Sequence, residues 1–167
     1  MGYQLIETVE VGSGGASSIE FTGIPQDGVD LVLLVSARFE TDNNTIFGLT
    51  LNNDTTSGNY SAVQMYGTGN QRYSNTLADY LHAPSNPANT TSNTFANGQI
   101  YISNYTSTSN KSISLDSVTE TNDIVALQRL IAYKYTTSSA ITSMQGSPTT
   151  GNFAQYSTFS LYKITAD

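Results

Sequence analysis

Short segments with the alternation of β-strands recur along the chain, and clusters of Gly, Asn or Ser separate them. The strongest is Val29–Phe39, whose middle, Leu31–Val35, is apolar at every position. Such a run is typical of a central strand covered on both faces, so the side chains of both faces, Leu34 included, are expected to be buried. Roughly ten such segments predict an all-β protein, an antiparallel sandwich or a barrel, in place of βαβ units.

The other predicted strands are shorter and follow the same pattern. They are Tyr3–Val11, Ile19–Thr22, Ile46–Leu51, Tyr60–Tyr66, Thr94–Tyr105, Ser112–Val118, Ile124–Tyr135, Ile141–Met144 and Tyr156–Ile164. No internal repeat or linker interrupts the series, so residues 1–167 are predicted to form a single domain. Gly12–Gly15 lacks the Gly-Lys-Ser/Thr of a phosphate-binding loop and is predicted to be a hairpin turn.

One segment departs from the strand pattern. Asn75–His82 carries three large apolar side chains at the spacing of a helix, and Pro84 would end that helix. We therefore predict at most one short helix, lying inside a long loop over Gly67–Asn93.

The composition excludes several classes of function. Ser, Thr and Asn make up 59 of 167 residues, charged residues are 11 %, and the net charge is −7. Six scattered Lys and Arg residues do not form the positive patch that nucleic acid or an anionic membrane surface requires. The chain has no Cys for a disulfide or a thiolate metal site, and neither a signal peptide nor a membrane-spanning segment is expected.

No residue pattern predicts catalysis. His82 is the only histidine, and it is interpreted as a residue of a surface loop because no neighbouring motif supplies a partner for a general base. The many serines include no Gly-x-Ser-x-Gly motif. The chain is therefore predicted not to be an enzyme and to use no cofactor.

Acidic residues in turns are the remaining candidates for a metal site. Calcium binds oxygen-rich loops, but the spacing of a helix-loop-helix calcium site is absent and local turn formation explains these clusters equally well. We therefore predict no metal site. The clusters are Asp27 with Asp30, Glu40 with Asp42, and Asp54 with Asn52 and Asn53.

Tyrosine is abundant, with 11 residues. Together with Asn, Ser and Thr, exposed tyrosine rings would suit contact with a sugar or a protein. Alternatively, about half of the rings are buried at sheet positions with hydrated hydroxyls. The sequence leaves both interpretations open.

Three stretches in order along the chain carry a family resemblance. They are Phe21–Pro25 leading into Asp30–Leu33; Asn59–Ser61 followed by Met65–Gly69; and Ala140–Met144, Gly151–Phe153 and Thr158–Ile164. Together they resemble small virion structural proteins of tailed bacteriophages. The chain departs from that pattern at Lys163, where those proteins usually have glycine, and in the loop Gln26–Gly28.

The resemblance implies a jelly-roll-like β-sandwich in the virion, folded in the host bacterial cytoplasm before assembly. Its first functional implication is a capsid decoration (cement) protein bound to the major capsid protein on the outside of the head. The alternative is a receptor-binding fibre or tail module that binds a host surface glycan. A glycan-degrading enzyme would need two convergent carboxylates, which nothing in the sequence indicates. The chain has few charges to protect its sheet edges from pairing with other strands, so contact between subunits is expected. Because capsids offer three-fold positions, the predicted homo-oligomer is most simply a trimer.

Overall fold

The computed structural model describes residues 2–42, 45–122 and 126–166, and within these ranges the chain forms twelve strands and no helix. The strands are β1 Gly2–Glu10, β2 Ile19–Phe21, β3 Asp30–Ala37, β4 Ile46–Leu51, β5 Tyr60–Gly67, β6 Arg72–Leu77, β7 Leu81–Pro84, β8 Ala96–Ile102, β9 Lys111–Thr119, β10 Leu127–Tyr135, β11 Met144–Ser147 and β12 Thr158–Thr165.

The strands form two antiparallel sheets. The larger has the order β1-β12-β3-β8-β9-β10-β5-β6, and the smaller has the order β2-β11-β4-β7. Without β5, β6, β9 and β10, the two sheets become β1-β12-β3-β8 and β2-β11-β4-β7, which is the double Greek key order of an eight-stranded jelly roll. The predicted antiparallel β-sandwich is therefore confirmed.

The four additional strands, β9-β10-β5-β6, extend one sheet of the jelly roll and are called the wing. They are two hairpins inserted at separate places in the chain, β5–β6 between β4 and β7, and β9–β10 between β8 and β11. The smaller sheet ends at β7, which packs against β8 and β9. The wing therefore extends beyond the smaller sheet.

The core lies between the two sheets of the jelly roll. Phe47, Phe153 and Phe159 are fully buried there, and the ring centroids of Phe47 and Phe153 are 4.9 Å apart in an edge-to-face arrangement. Leu33 from β3 is 1 % exposed and belongs to the same cluster. Alternation along the strands places these residues on the inner faces, where burial of apolar area stabilises the sandwich.

The predicted helix over Asn75–His82 is wrong. Residues up to Leu77 belong to β6, which pairs with β5 over six residues, and Leu81 begins β7, which pairs with β4. Strand pairing across the molecule outweighs the local helical spacing, as is common for short segments. Pro84 ends β7 at the edge of the smaller sheet, where a residue without an N–H is tolerated.

The expectation that both faces of β3 are buried holds only in part. On the outer face, Val32 is fully buried because it lies between Tyr101 and Tyr162 of the neighbouring strands. Leu34 is 40 % exposed, since its cross-strand neighbours are the polar residues Ser160 and Gln99. The smaller sheet covers one face of β3, and cross-strand rings cover the other only locally.

Two further predictions need correction. Gly12–Gly15 is a turn, closed by the Gly15 N–H donating to the Gly12 carbonyl, but it connects β1 of the larger sheet to β2 of the smaller one and is not a hairpin turn. The strand predicted at Ile141–Met144 begins at Met144. The start of the strand predicted at Ile124–Tyr135 lies outside the described residues, and β10 begins at Leu127.

Candidate functional site

The outer face of the wing carries exposed apolar side chains. Met65 on β5 lies opposite Leu130 on β10, and Val63 lies opposite Ala132 in the next pair on the same face. Val63, Met65 and Leu130 are 53 %, 56 % and 43 % exposed. These four residues are called the apolar patch. Large apolar side chains grouped in this way mark an interaction surface more often than isolated ones do.

The neighbouring strands β8 and β9 place polar side chains beside this patch. Asp116 lies opposite Leu130 and pairs on its other side with Gln99, and the next row contains Ser114 and Tyr101. The two sets of side chains line a groove of about 500 Å³ on the outer face of the larger sheet. One wall can bury apolar groups while the other offers hydrogen-bond donors and acceptors, as in the contact surfaces of non-obligate complexes.

Tyr101 is held in a defined position at the polar wall. Its hydroxyl donates a short hydrogen bond to Asp30, whose other carboxylate oxygen accepts a hydrogen bond from the Asn104 N–H at 2.7 Å. The hydrogen bond to the Asp30 carboxylate, with a contribution from burial, raises the pKa of Tyr101 to about 12. The ring is therefore neutral and oriented at physiological pH.

A second depression continues the groove toward the end of the β5–β6 hairpin. It has a volume of about 390 Å³, and Met65 and Leu130 line it together with Arg72, Tyr73 and Gln128. The apolar patch thus faces two adjoining concave surfaces that together reach the β6 edge of the larger sheet.

Two tyrosines on the inner face support the wing near β4. The Tyr60 hydroxyl accepts a hydrogen bond from the Leu51 N–H at 3.0 Å, and the Tyr135 hydroxyl donates to Asp54 at 3.0 Å. Burial acts to raise the pKa of Asp54, but hydrogen bonds from the Thr56 N–H, from the side chains of Thr56 and Asn59 and from Tyr135 outweigh it and lower that pKa.

His82 was predicted to lie in a surface loop, and this prediction is wrong. It lies on β7 and is 8 % exposed, and its backbone N–H donates to the Tyr133 hydroxyl at 2.8 Å. A partner for its imidazole also exists, because Nε2 lies 3.1 Å from a carboxylate oxygen of Asp79. Burial, assisted by the charge of Arg129, lowers the pKa of His82 against the opposing effect of Asp79. The imidazole is therefore neutral near pH 7.

Most of the acidic turn residues, namely Asp27, Asp30, Glu40 and Asp54, have protein partners. Asp27 pairs with Lys163 at 2.5 Å, and the pKa of Asp27 is lowered chiefly by the hydrogen bond from that lysine. Glu40 accepts a hydrogen bond from Asn152 at 3.1 Å. Within residues 2–42, 45–122 and 126–166, no group of three or more His, Asp or Glu side chains could hold a metal ion.

The tyrosines divide into buried and exposed rings, and contact of the exposed rings with a sugar or a protein stays a prediction. Tyr60, Tyr105, Tyr133 and Tyr135 are 5 % exposed or less, but protein groups, not water alone, bind their hydroxyls. Tyr3, Tyr73 and Tyr156 are exposed.

The apolar patch was not predicted from the sequence, although β5 contains a signal for it. Val63 and Met65 alternate with Ala62 and Gln64, so both faces of the strand carry nonpolar or long side chains. Only the position of β5 in the sheet, beyond the smaller sheet, shows which of the two faces is exposed.

No family model, curated protein or solved structure matches this chain. In the described part of the chain, no helix is long and apolar enough to cross a membrane.

Proposed function

We propose that this chain is a structural protein of a tailed-bacteriophage virion, attached to the outside of the head as a capsid decoration (cement) protein. The observation that carries the proposal is the apolar patch, whose three largest side chains are about half exposed on a regularly paired sheet. Covering such a patch with a second protein gains the hydrophobic free energy that drives most protein association.

The rest of the groove supports binding to a protein. Gln99, Ser114 and Asp116 form a polar border on one side of the patch, and an apolar centre with a polar border is the usual anatomy of an interface between separately folded proteins. The resemblance to phage virion proteins makes the major capsid protein the proposed partner. The predicted number of three chains rests on the symmetry of capsids and stays a prediction.

A direct test compares two exposed leucines on the outer face of the same sheet. Leu130→Asp places a charge in the apolar patch, and Leu5→Asp is the matched control on β1, where Leu5 is 51 % exposed. Phage particles that lack the protein are mixed with each variant, sedimented and imaged by electron microscopy. We expect the wild type and Leu5→Asp to decorate the head and Leu130→Asp to stay in solution. Density at the tail, or equal binding of both variants, would contradict the proposal.

The second candidate function, a fibre or tail module that binds host surface glycan, is favoured by the polar wall. Tyr101 is fixed by Asp30 beside Gln99 and Asp116, which offers a sugar a ring to stack on and groups to bond. Glycan binding that Tyr101→Ala abolishes and Leu130→Asp preserves would favour this function over head decoration.

A further inference from the structure

We propose that β6 pairs with β6 of a second copy of this chain, antiparallel and about a two-fold axis at Ser74, so that two larger sheets join into one continuous sheet. The proposal concerns self-association in solution and does not depend on the virion.

Three of the four sheet edges are protected against pairing with another strand. β1 has a register shift between Leu5 and Glu7 and exposes Glu7 and Glu10. β2 is only three residues long, and β7 is buried along its length and ends at Pro84. Proteins usually block edge-to-edge association by such features: a bulge, charged side chains, a short strand, burial of the edge or a proline.

β6 has no register shift and no proline, and most of it is exposed. Its register with β5 is regular from Ala62 opposite Leu77 to Gly67 opposite Arg72, and its first five residues are exposed. Its single charge is Arg72, at its first position. A regular strand edge with one charge presents main-chain N–H and C=O groups to another strand. Of these groups, the Thr76 carbonyl also accepts a long hydrogen bond, of 3.4 Å, from the Asn75 side chain.

The hairpin turn determines which groups face that edge. The Thr68 N–H donates to the Gln71 carbonyl, so these two residues form a hydrogen-bonded pair. Because hydrogen-bonded and non-hydrogen-bonded pairs alternate in an antiparallel ladder, the main-chain groups of Tyr73, Asn75 and Leu77 face β5. Those of Arg72, Ser74 and Thr76 therefore face outward.

These outward groups match their own copies when Ser74 lies opposite Ser74. Arg72 then faces Thr76 of the second copy, and Tyr73 faces Asn75, so neither like charges nor two bulky rings oppose each other. The register forms about six main-chain hydrogen bonds.

The same register argues for a second copy over an unrelated strand. Ser74 pairs with Met65, which lies opposite Leu130, so the two-fold axis places both apolar patches on one surface, on either side of Ser74. A strand from another protein would not extend this patch. Two-fold pairing closes at two chains, whereas a trimer requires a heterologous contact, so the proposal replaces the trimer with a dimer in solution.

Cysteine cross-linking tests the pairing, because the chain contains no Cys of its own. In a hydrogen-bonded antiparallel pair the Cα atoms are about 5.5 Å apart, within the range of a disulfide. We expect Ser74→Cys to form a covalent dimer under mild oxidation. Thr8→Cys, on the opposite edge of the same sheet, is the matched control and is expected to stay monomeric. Failure of Ser74→Cys to cross-link, or equal cross-linking of both variants, would overturn the proposal.

A second measurement uses proline. In Ser74→Pro the lost N–H points outward, so β6 keeps its ladder with β5 but no longer pairs with a second copy. By light scattering at tens of micromolar, we expect a mass of about twice 17.9 kDa for the wild type and 17.9 kDa for folded Ser74→Pro. A wild-type monomer or trimer, or a dimer that persists in folded Ser74→Pro, contradicts the pairing. If Ser74→Pro does not fold, the cross-linking result and the wild-type mass decide.

Discussion

The jelly roll and the wing exclude water from their inner faces with different aromatic residues. In the jelly roll, Phe47, Phe153 and Phe159 pack between two sheets. The strands of the wing contain no Phe, and Tyr60 and Tyr135 stack there at 4.7 Å between ring centroids.

The difference follows from where the smaller sheet stops. Between two complete sheets, neighbouring strands satisfy the backbone groups, so a purely apolar ring fits. At the limit of the smaller sheet, the N–H groups of Leu51 and His82 have hydroxyls as partners, supplied by Tyr60 and Tyr133 of the wing. The tyrosines thus combine apolar burial with the hydrogen bond that a further strand would have provided.

The largest effect is expected from a cavity in the jelly roll. Leu33→Ala should lower the free energy of unfolding by roughly 2 to 5 kcal/mol, because Leu33 is buried between the sheets. Leu130→Ala, on the exposed face of the wing, should change it by no more than about 0.5 kcal/mol. Urea unfolding of both variants measures the two values. Equal losses would show that the outer face of the wing is as buried as the core.

Removal of one wing hydroxyl should have a smaller effect. Tyr133→Phe leaves the buried His82 N–H without its acceptor and should lower the free energy of unfolding by about 1 to 3 kcal/mol. Tyr73→Phe is the control, because Tyr73 is 41 % exposed and water can replace its partner. If urea unfolding detects no loss for Tyr133→Phe, the hydroxyl does not replace a missing strand.

The contact between the two regions should also respond to pH. The pKa of His82 is lowered in the folded state, so its contribution to stability is present above the unfolded value of about 6.5 and is lost as the pH falls through the folded pKa. NMR should show the single histidine titrating below pH 6.5, and His82→Gln should remove this part of the pH dependence of unfolding. A His82 pKa above 6.5 would mean that the charge of Asp79 raises this pKa by more than burial lowers it.

The smallest effect concerns one phenol at the border of the groove. Ultraviolet titration of the folded protein should find Tyr101 ionising near pH 12, because the Asp30 carboxylate accepts its hydrogen bond. Asp30→Asn should move this pKa toward 10, and Asp116→Asn, at another carboxylate on the same outer face, is the control. An unchanged titration curve in Asp30→Asn would show that the hydrogen bond does not form.

The sandwich could be predicted because alternation and turn residues are local properties of the sequence. Leu33 needed no information beyond its own strand to be placed in the core. The segment after Gly67 was misassigned because pairing with β5 and with β4 determines β6 and β7, while Leu77 and Leu81 happen to have helical spacing.

The candidate site was not predictable for a related reason. Val63 and Leu130 are ordinary strand residues in the sequence, and their exposure results from the insertion of two hairpins that extend one sheet and not the other. Asp79, three residues before His82, becomes its partner where the chain turns between β6 and β7.

The position of β12 also governs when the fold can form. It lies between β1 and β3 in the larger sheet, so β1, which precedes the other eleven described strands in the chain, has no strand partner until Thr158–Thr165 has been synthesised. Pairing of Gly2 with Thr165 joins the most distant described parts of the chain, and folds dominated by such contacts form slowly. During translation the edges of β1 and β3 that pair with β12 therefore stay open until β12 is made, so the synthesis of β12 is the step that commits this protein to its native sheet.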